Sequence, residues 1–259
     1  MRGRLALYKA EAIVLRVQPF GEADRLATLL SPEHGRIRAV AKGARRGRAL
    51  AAAIQPFVHA DLVLWQGRQL DGISQAEVRD ARRGLSLALE TVTAASYCCE
   101  LAEGFAAERQ EAPELFSALG GVLDALGRQG PTGRLAELLR WFDLRLLGVS
   151  GFSPELDACT GCGRGIGEPD GPVGFSPEGG GVLCAECAHQ TPGSVRLAPN
   201  ALRALRHLAR VGAVDAERVR VGPRTMAEMD RALRLQLQGI LQRPLRSRVL
   251  LEAEPPRAP

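Results

Sequence analysis

The sequence predicts an α+β multidomain protein: an N-terminal OB-fold β-barrel, a helical bundle domain, and a cysteine-rich module inserted into the helical domain. Three observations lead to this prediction. Short apolar segments separated by turn-forming residues fill the first 80 residues, apolar residues recur at helical spacing from residue 81, and two cysteine pairs stand in a Gly- and Pro-rich stretch. We therefore divide the chain into a barrel (1–80), a helical domain (81–251) with an insert (154–195), and a flexible tail (252–259).

The first 80 residues contain five candidate strands. They are "AIVLRV" (12–17), "RLATLLS" (25–31), "RIRAV" (36–40), "FVHADLVLW" (57–65) and "LDGISQAE" (70–77). In the fourth, Val58, Ala60, Leu62 and Leu64 occupy alternate positions, which predicts that they share one buried face. Five short strands within about eighty residues favour a small closed barrel, and the OB-fold is the common five-stranded form.

The remainder of the chain is predicted to be helical, except for the insert. The segment "PELFSALGGVLDAL" begins with Pro113, and proline is favoured in the first turn of a helix. Apolar residues recur every three to four positions in 135–146, and helices resume after the insert at "PNALRALRHLARV" and "TMAEMDRALRLQLQGIL". Cys98 and Cys99 are adjacent in a predicted helix, where neighbouring side chains point about 100° apart. We interpret both as buried small residues.

The insert carries four of the six cysteines, as "CTGC" and "CAEC" separated by 21 residues. Two intervening residues let both thiolates of a pair reach one ion, and this spacing is typical of tetrahedral zinc. The insert is therefore predicted to be a four-cysteine zinc-finger module with one structural Zn2+, because four thiolates leave no position for a catalytic water. The predicted ligands are Cys159, Cys162, Cys184 and Cys187. Two disulfides, or reduced core cysteines, are the alternative.

The sequence lacks the motifs of several enzyme classes that act on nucleic acids. Neither Lys9 nor Lys42, the two lysines of the chain, is followed by Ser or Thr, which excludes a P-loop. No histidine begins the H-x-E motif of the zinc deaminases. Charged residues interrupt every long apolar run, so we expect neither a membrane span nor a secretory signal. A non-enzymatic cytoplasmic protein is the prediction.

Basic residues are concentrated near the N-terminus. The net charge of the chain is +5, yet residues 1–60 contain eleven Lys and Arg against four acids. Six of these cations lie in "RIRAVAKGARRGR" (36–48), and such a run is either a solvated surface or a grip on a polyanion such as DNA. The candidate DNA-binding residues are Arg36, Arg38, Lys42, Arg45, Arg46 and Arg48. Because the barrel has few aromatic residues, we expect phosphate neutralisation to dominate over base stacking.

Three segments in order along the chain carry a family resemblance. They are "EAIVLRVQPFGEADRLATLLSPEHGRIRAVAKGARR" (11–46), "GFSPELDACTGCG" (151–163) and "FSPEGGGVLCAEC" (175–187). Together they resemble the bacterial RecO family of recombination mediator and repair proteins. The resemblance implies an N-terminal OB-fold, a helical domain and a cysteine insert, and its zinc positions coincide with the four cysteines of the two pairs.

The resemblance also implies a function and partners. It implies binding of single- and double-stranded DNA and annealing of complementary strands. It also implies that the protein, with RecR, helps RecA to load onto DNA covered by single-strand-binding protein. The implied location is the cytoplasm, in association with the nucleoid. The acidic C-terminal tail of the single-strand-binding protein is expected on the helical domain, where arginines of the last helices either meet its carboxylates or form solvated faces. These arginines are Arg203, Arg206, Arg210, Arg231 and Arg234. The alternative function is that of a zinc-ribbon RNA-binding or transcription factor.

Overall fold

The computed structural model of the protein describes residues 6–44, 47–130 and 134–247, so the predicted tail (252–259) lies outside the described residues. The chain divides into two compact units: unit 1 is Met1–Pro131 with Arg246–Pro259, and unit 2 is Thr132–Leu245. The boundary between the two units lies at residue 131, about fifty residues after the boundary at residue 80 that the change of sequence pattern predicted. No helix within the described ranges is both long and apolar enough to cross a membrane.

Unit 1 contains a closed barrel of five strands in the order β1-β2-β3-β5-β4. The strands are β1 (Leu7–Phe20), β2 (Asp24–Ser31), β3 (Gly35–Ala41), β4 (His59–Trp65) and β5 (Asp71–Asp80), with helix α1 (Arg48–Ala53) between β3 and β4. Neighbouring strands are antiparallel except β3 and β5, which pair in parallel at Ala39↔Asp71 and Val40↔Gly72. This strand order confirms the predicted OB-fold.

Alternate residues of the strands line the barrel interior. The prediction for the fourth strand is confirmed, because all four residues that were expected to share a buried face lie in this core. They are Val58, which precedes β4, and Ala60, Leu62 and Leu64 within it. β1 begins five residues earlier than the predicted strand, because Ala10 and Ala12 face the core while the charged Lys9 and Glu11 lie outside it. Alanines alternating with charges are weak evidence of a strand, although the pattern has the period of two that a half-buried strand requires.

Two long helices follow the barrel in unit 1. They are α2 (Leu89–Phe105), which follows a 3₁₀ turn at Arg83–Leu87, and α3 (Pro113–Gln129). The two helices pack on each other, and α2 also packs on β1, which explains why they belong with the barrel. Helix α3 begins at Pro113 as predicted. Cys98 and Cys99 are both buried within α2, which confirms their interpretation as core residues.

Unit 2 contains five helices and a small sheet within its described residues. The elements are α4 (Leu135–Val149), β6 (Val173–Ser176), β7 (Gly181–Leu183), α5 (Ala185–Gln190), β8 (Val195–Leu197), α6 (Pro199–Arg210), α7 (Ala213–Ala216) and α8 (Pro223–Leu241). Helix α4 packs on α6, α7 and α8, and the sheet has the order β7-β6-β8. A buried ion pair at 2.8 Å joins Arg140 to Asp143 within α4, and Arg140 also pairs with Asp230 of α8. The cysteine module, with strands β6 to β8, thus lies between α4 and α6 in the chain.

Candidate metal centre and nucleic-acid interface

The two C-x2-C pairs come from separate segments of unit 2 that meet beside β7. Cys159 and Cys162 lie in the loop after α4, and a hydrogen bond of 2.9 Å from Thr160 N–H to Val182 O holds this loop along β7. Cys184 and Cys187 follow β7 at the start of α5. The four Sγ atoms all lie within 4.8 Å of one another, so the structure brings the four predicted residues into one cluster.

The first pair is held by a tight turn of the backbone. Cys159 N–H donates to Arg164 O, and Gly163 N–H donates to Cys159 O, both at 2.8 Å. Gly163 has a φ of +74°, a conformation that glycine adopts without strain. Gly161 lies so close to the second pair that a Cβ on it would be 3.0 Å from Cys187 Sγ. The glycines of "CTGCG" therefore permit both the turn and the close approach of the two pairs.

The electrostatic environment of the four sulfurs is uneven. Burial acts to raise the pKa of the Cys159 thiol, but backbone N–H groups of Cys184, Cys162 and Gly161 outweigh it and lower that pKa to about 6. The N–H of Cys184 lies 3.2 Å from Cys159 Sγ. Hydrogen bonds with neighbouring sulfurs raise the pKa of the Cys187 thiol, and the bond with Cys184 contributes most. Four thiolates at these distances repel one another, so a bound cation is needed to hold all four deprotonated.

The distances fit a single tetrahedral metal ion. Zinc lies about 2.3 Å from each thiolate, which places the sulfurs of a tetrahedral site about 3.8 Å apart. Cys162 Sγ and Cys184 Sγ are 3.9 Å apart, and none of the four cysteines of the cluster forms a disulfide in this structure, which argues against the alternative of two disulfides. The cluster could therefore hold one metal ion, and its four sulfur donors are those of structural zinc.

Arg206 of α6 is committed to the cysteine module. Its guanidinium donates to Leu156 O at 2.8 Å, to Gly167 O at 2.9 Å and to Ile166 O, and it pairs with Asp157 at 3.0 Å. Its side chain is 11% exposed. These carbonyls flank the first cysteine pair, so Arg206 holds the ends of that loop together and has little surface left for a partner.

Replacing Arg206 with methionine is expected to loosen the first cysteine loop, because the carbonyls of Leu156, Ile166 and Gly167 lose their shared donor. An unsatisfied buried polar group costs about 1–3 kcal/mol, so amide protons in 155–167 should exchange roughly 10- to 100-fold faster. Hydrogen exchange measured by mass spectrometry tests this. The matched control is Arg203→Met on the same helix, since Arg203 is 55% exposed. Equal exchange in both variants would contradict the assigned role of Arg206.

The six candidate DNA-binding cations fall into different environments. Arg45 and Arg46 lie outside the described residues, and only the backbone of Arg48, in α1, is described. Arg38 and Lys42 are exposed, and Lys42 Nζ lies 5.9 Å from the centre of the Trp65 ring. That distance is at the outer limit of a cation–π contact, so Lys42 keeps its charge available at the surface.

Arg36 differs from its neighbours because it is engaged within unit 1. Its guanidinium donates to Glu103 O at 2.9 Å and pairs with the Glu108 carboxylate at 3.3 Å. It therefore ties β3 to the end of α2 and to the segment that follows. These partners lie about seventy positions further along the chain, so the basic run alone could not distinguish Arg36 from Arg38.

The sequence reasoning missed a cavity of about 390 Å³ that lies beside Arg36 and Arg38. Tyr8, His34, Asp71 and Arg109 also line it. These four residues come from β1, the β2–β3 turn, β5 and the segment after α2, and each is unremarkable in its local sequence. Only the closure of the barrel and the return of the chain after α2 bring them together.

The fold and the cluster together define a multidomain OB-fold protein with a four-cysteine module that could hold a metal ion. Residues 1–82 match the family model described as Recombination protein O N terminal, and residues 86–249 match Recombination protein O C terminal. The chain therefore belongs to the RecO family of DNA repair proteins, as the resemblance of the three segments predicted.

Individual relatives match over nearly their whole length. The chain is 40% identical over 252 residues to the DNA repair protein RecO of Symbiobacterium thermophilum, covering 96% of this chain and 98% of the relative. It is 37% identical over 254 residues to the protein of the same name from Roseiflexus sp., covering 97% and 87%. It is also 37% identical over 247 residues to that of Anaeromyxobacter sp. strain K, covering 94% and 95%. The match thus includes both the barrel and the cysteine module.

Proposed function

We propose that this protein is a non-enzymatic recombination mediator of a RecFOR-type repair pathway. It binds single- and double-stranded DNA, anneals complementary strands, and with RecR promotes loading of RecA onto DNA coated by single-strand-binding protein. The observation that carries the proposal is membership of a family of DNA repair proteins across both units of the chain. The exposed Arg38 and Lys42 on an OB-fold barrel support it, because such barrels bind single strands along basic grooves.

In this proposal the two units have different chemical tasks. The basic segment 36–48 neutralises phosphates, which gives an affinity that is nearly independent of base sequence. Cys159, Cys162, Cys184 and Cys187 hold one structural Zn2+, which cross-links two segments that are too short to form a core of their own. The Zn2+, when bound, neutralises thiolate charge and has no open position for a substrate, so no hydrolytic step is assigned to it.

The acidic tail of the single-strand-binding protein is proposed to bind within residues 81–251. Of the five candidate arginines, Arg206 is engaged by backbone carbonyls, and Arg210 pairs with Asp157 at 3.3 Å. Arg231, on α8, is exposed and has no ion pair within the described ranges. Arg231 is therefore the first candidate for the carboxylates of the tail. We place the protein in the cytoplasm, in association with the nucleoid.

Annealing of complementary oligonucleotides without ATP tests the proposed function. The protein should accelerate annealing of bare strands and of strands coated with single-strand-binding protein. A free tail peptide should inhibit only the second reaction, and addition of RecR should speed RecA assembly on coated DNA. Unlabelled single-stranded DNA should compete better than structured RNA. If annealing is not accelerated, or if structured RNA competes better, the alternative of an RNA-binding factor is favoured.

A further inference from the structure

The cavity beside Arg36 and Arg38 arises from the pairing of the barrel strands. β3 pairs with β5 only at Ala39 and Val40, which leaves a gap in the ladder before Ala39, and Gly35 and Arg36 form isolated bridges with Glu108 instead. The gap is closed at its far side by the segment that follows α2. The resulting volume of about 390 Å³ lies within the ~300–1,000 Å³ typical of small-molecule sites.

The walls of the cavity are fixed by hydrogen bonds and close packing. Arg36 N–H donates to Ala107 O at 2.9 Å. A Cβ on Gly35 would lie 2.1 Å from Gln110 O, so glycine is required where the segment after α2 approaches β3. Arg109 has a φ of +59°, which is uncommon for a residue with a side chain. Such a constrained wall is expected of a preformed site.

Asp71 organises the floor of the cavity. This residue is 4% exposed, and its carboxylate accepts hydrogen bonds from Tyr8 Oη–H, from Gly67 N–H at 2.9 Å and from Arg109 at 3.0 Å. Burial, followed by the hydrogen bond to Asp71, raises the pKa of Tyr8, so its hydroxyl stays neutral at physiological pH. The edge of the Tyr8 ring meets the His34 ring, with their centres 4.9 Å apart.

The side chains that remain available in the cavity favour a ligand in which a planar polar group carries an anion. Both carboxylates that line the cavity are already paired, Asp71 with Arg109 and Glu108 with Arg36. Arg38 has no ion pair among residues 6–44, 47–130 and 134–247, so its charge is available to a ligand. Two amide side chains on the β4–β5 loop, Gln66 and Gln69, are exposed and make no side-chain hydrogen bond in the described ranges. An amide offers both donors and an acceptor, which complement the edges of all four bases.

We propose that this cavity binds one unpaired nucleotide of a DNA strand, with the base against Tyr8 and the two glutamine amides and a flanking phosphate at Arg38. The inference rests on the proposed function and deepens it. A base within a duplex is enclosed by its neighbours and cannot enter without being unstacked, so the cavity favours single strands. An acidic peptide also offers planar backbone amides to the two glutamines, but its acidic side chains have no heterocyclic ring to lie against Tyr8, so it is the competing occupant that the experiment must exclude.

A comparison of ordinary and abasic oligonucleotides of equal length and charge tests the proposal. The full-length protein should bind the ordinary strand roughly tenfold more tightly. The double variant Gln66→Ala/Gln69→Ala should lose this preference while keeping its affinity for duplex DNA and its salt dependence, since no charge is removed. The matched control is Gln75→Ala, an exposed glutamine of β5 outside the cavity.

The other outcomes would contradict either the binding of a base in the cavity or the proposed function. If the wild-type protein binds both strands equally, or if the double variant keeps the preference, the cavity does not receive a base. If the double variant instead loses affinity for an acidic peptide, the occupant is a peptide and the proposal is wrong. If the wild-type protein binds no DNA at all, it is the proposed function that fails.

Discussion

Replacing Cys159 with serine is expected to reduce bound zinc from near one per chain to less than a tenth. The reason is that Cys159 is the buried member of the cluster, and its sulfur receives a backbone hydrogen bond at 3.2 Å that stabilises the thiolate. Structural zinc sites contribute about 10–16 kcal/mol in small peptides, so the module should lose its structure without the ion. Elemental analysis of the reduced protein gives the zinc content, and hydrogen exchange should show lost protection in residues 154–195.

Two controls make the zinc prediction specific. Cys98→Ala removes a buried cysteine of α2 that is outside the cluster, and this variant should keep its zinc. Hydrogen exchange of the barrel strands should be unchanged in Cys159→Ser, because unit 1 has its own core. A wild-type protein with intact thiols and less than a tenth of a zinc per chain would falsify the metal assignment. Treatment of the wild-type protein with a strong chelator should reproduce the exchange pattern of the serine variant.

Where one face of an element is apolar, the sequence predicted the fold well. The alternation in 57–65 specified which residues of β4 face the barrel core, because a strand with one buried face has a strict period of two. The sequence predicted β1 less completely, and the first five residues of the strand were missed. The reason is that the inward residues Ala10 and Ala12 are small and that charged residues stand beside them. In the insert, the elements β6, β7, α5 and β8 contain only three to six residues each. Segments this short carry too few positions for a period to be recognised.

The candidate sites also differ in how far the sequence could predict them, because some depend on local spacing and others on contacts between distant segments. The cysteine cluster was predictable because a metal site imposes a fixed local spacing on two short segments. The role of Arg206 was not, because the carbonyls it contacts lie 39–50 positions away along the chain. Arg36 and Arg38 likewise look alike in sequence, yet one is bound to Glu103 and Glu108 and the other is exposed. Contacts between distant segments decide which arginines remain free for a ligand.

The basic segment should determine how DNA binding responds to salt. If about four of its six cations neutralise phosphates, log K should fall against log salt with a slope of roughly −3 on single strands. Changing Arg45, Arg46 and Arg48 together to alanine should make the slope shallower by up to ~2 units. Arg38 and Lys42 remain exposed in that variant and should sustain the residual slope. Fluorescence anisotropy over a range of salt concentrations measures both slopes.

The control for this prediction is a triple variant with the same change of charge in unit 2. Arg218, Arg220 and Arg224 are all exposed, and Arg218 and Arg224 are 79% and 94% exposed. Changing these three to alanine should leave the slope near −3, because long-range effects of charge are screened within about 8–10 Å at physiological salt. The opposite result, an unchanged slope in the barrel variant and a shallower one in the unit 2 variant, would mean that the basic segment is only solvated. DNA would then be held by the arginines of unit 2, and the phosphate contacts assigned to residues 36–48 would have to be reassigned there.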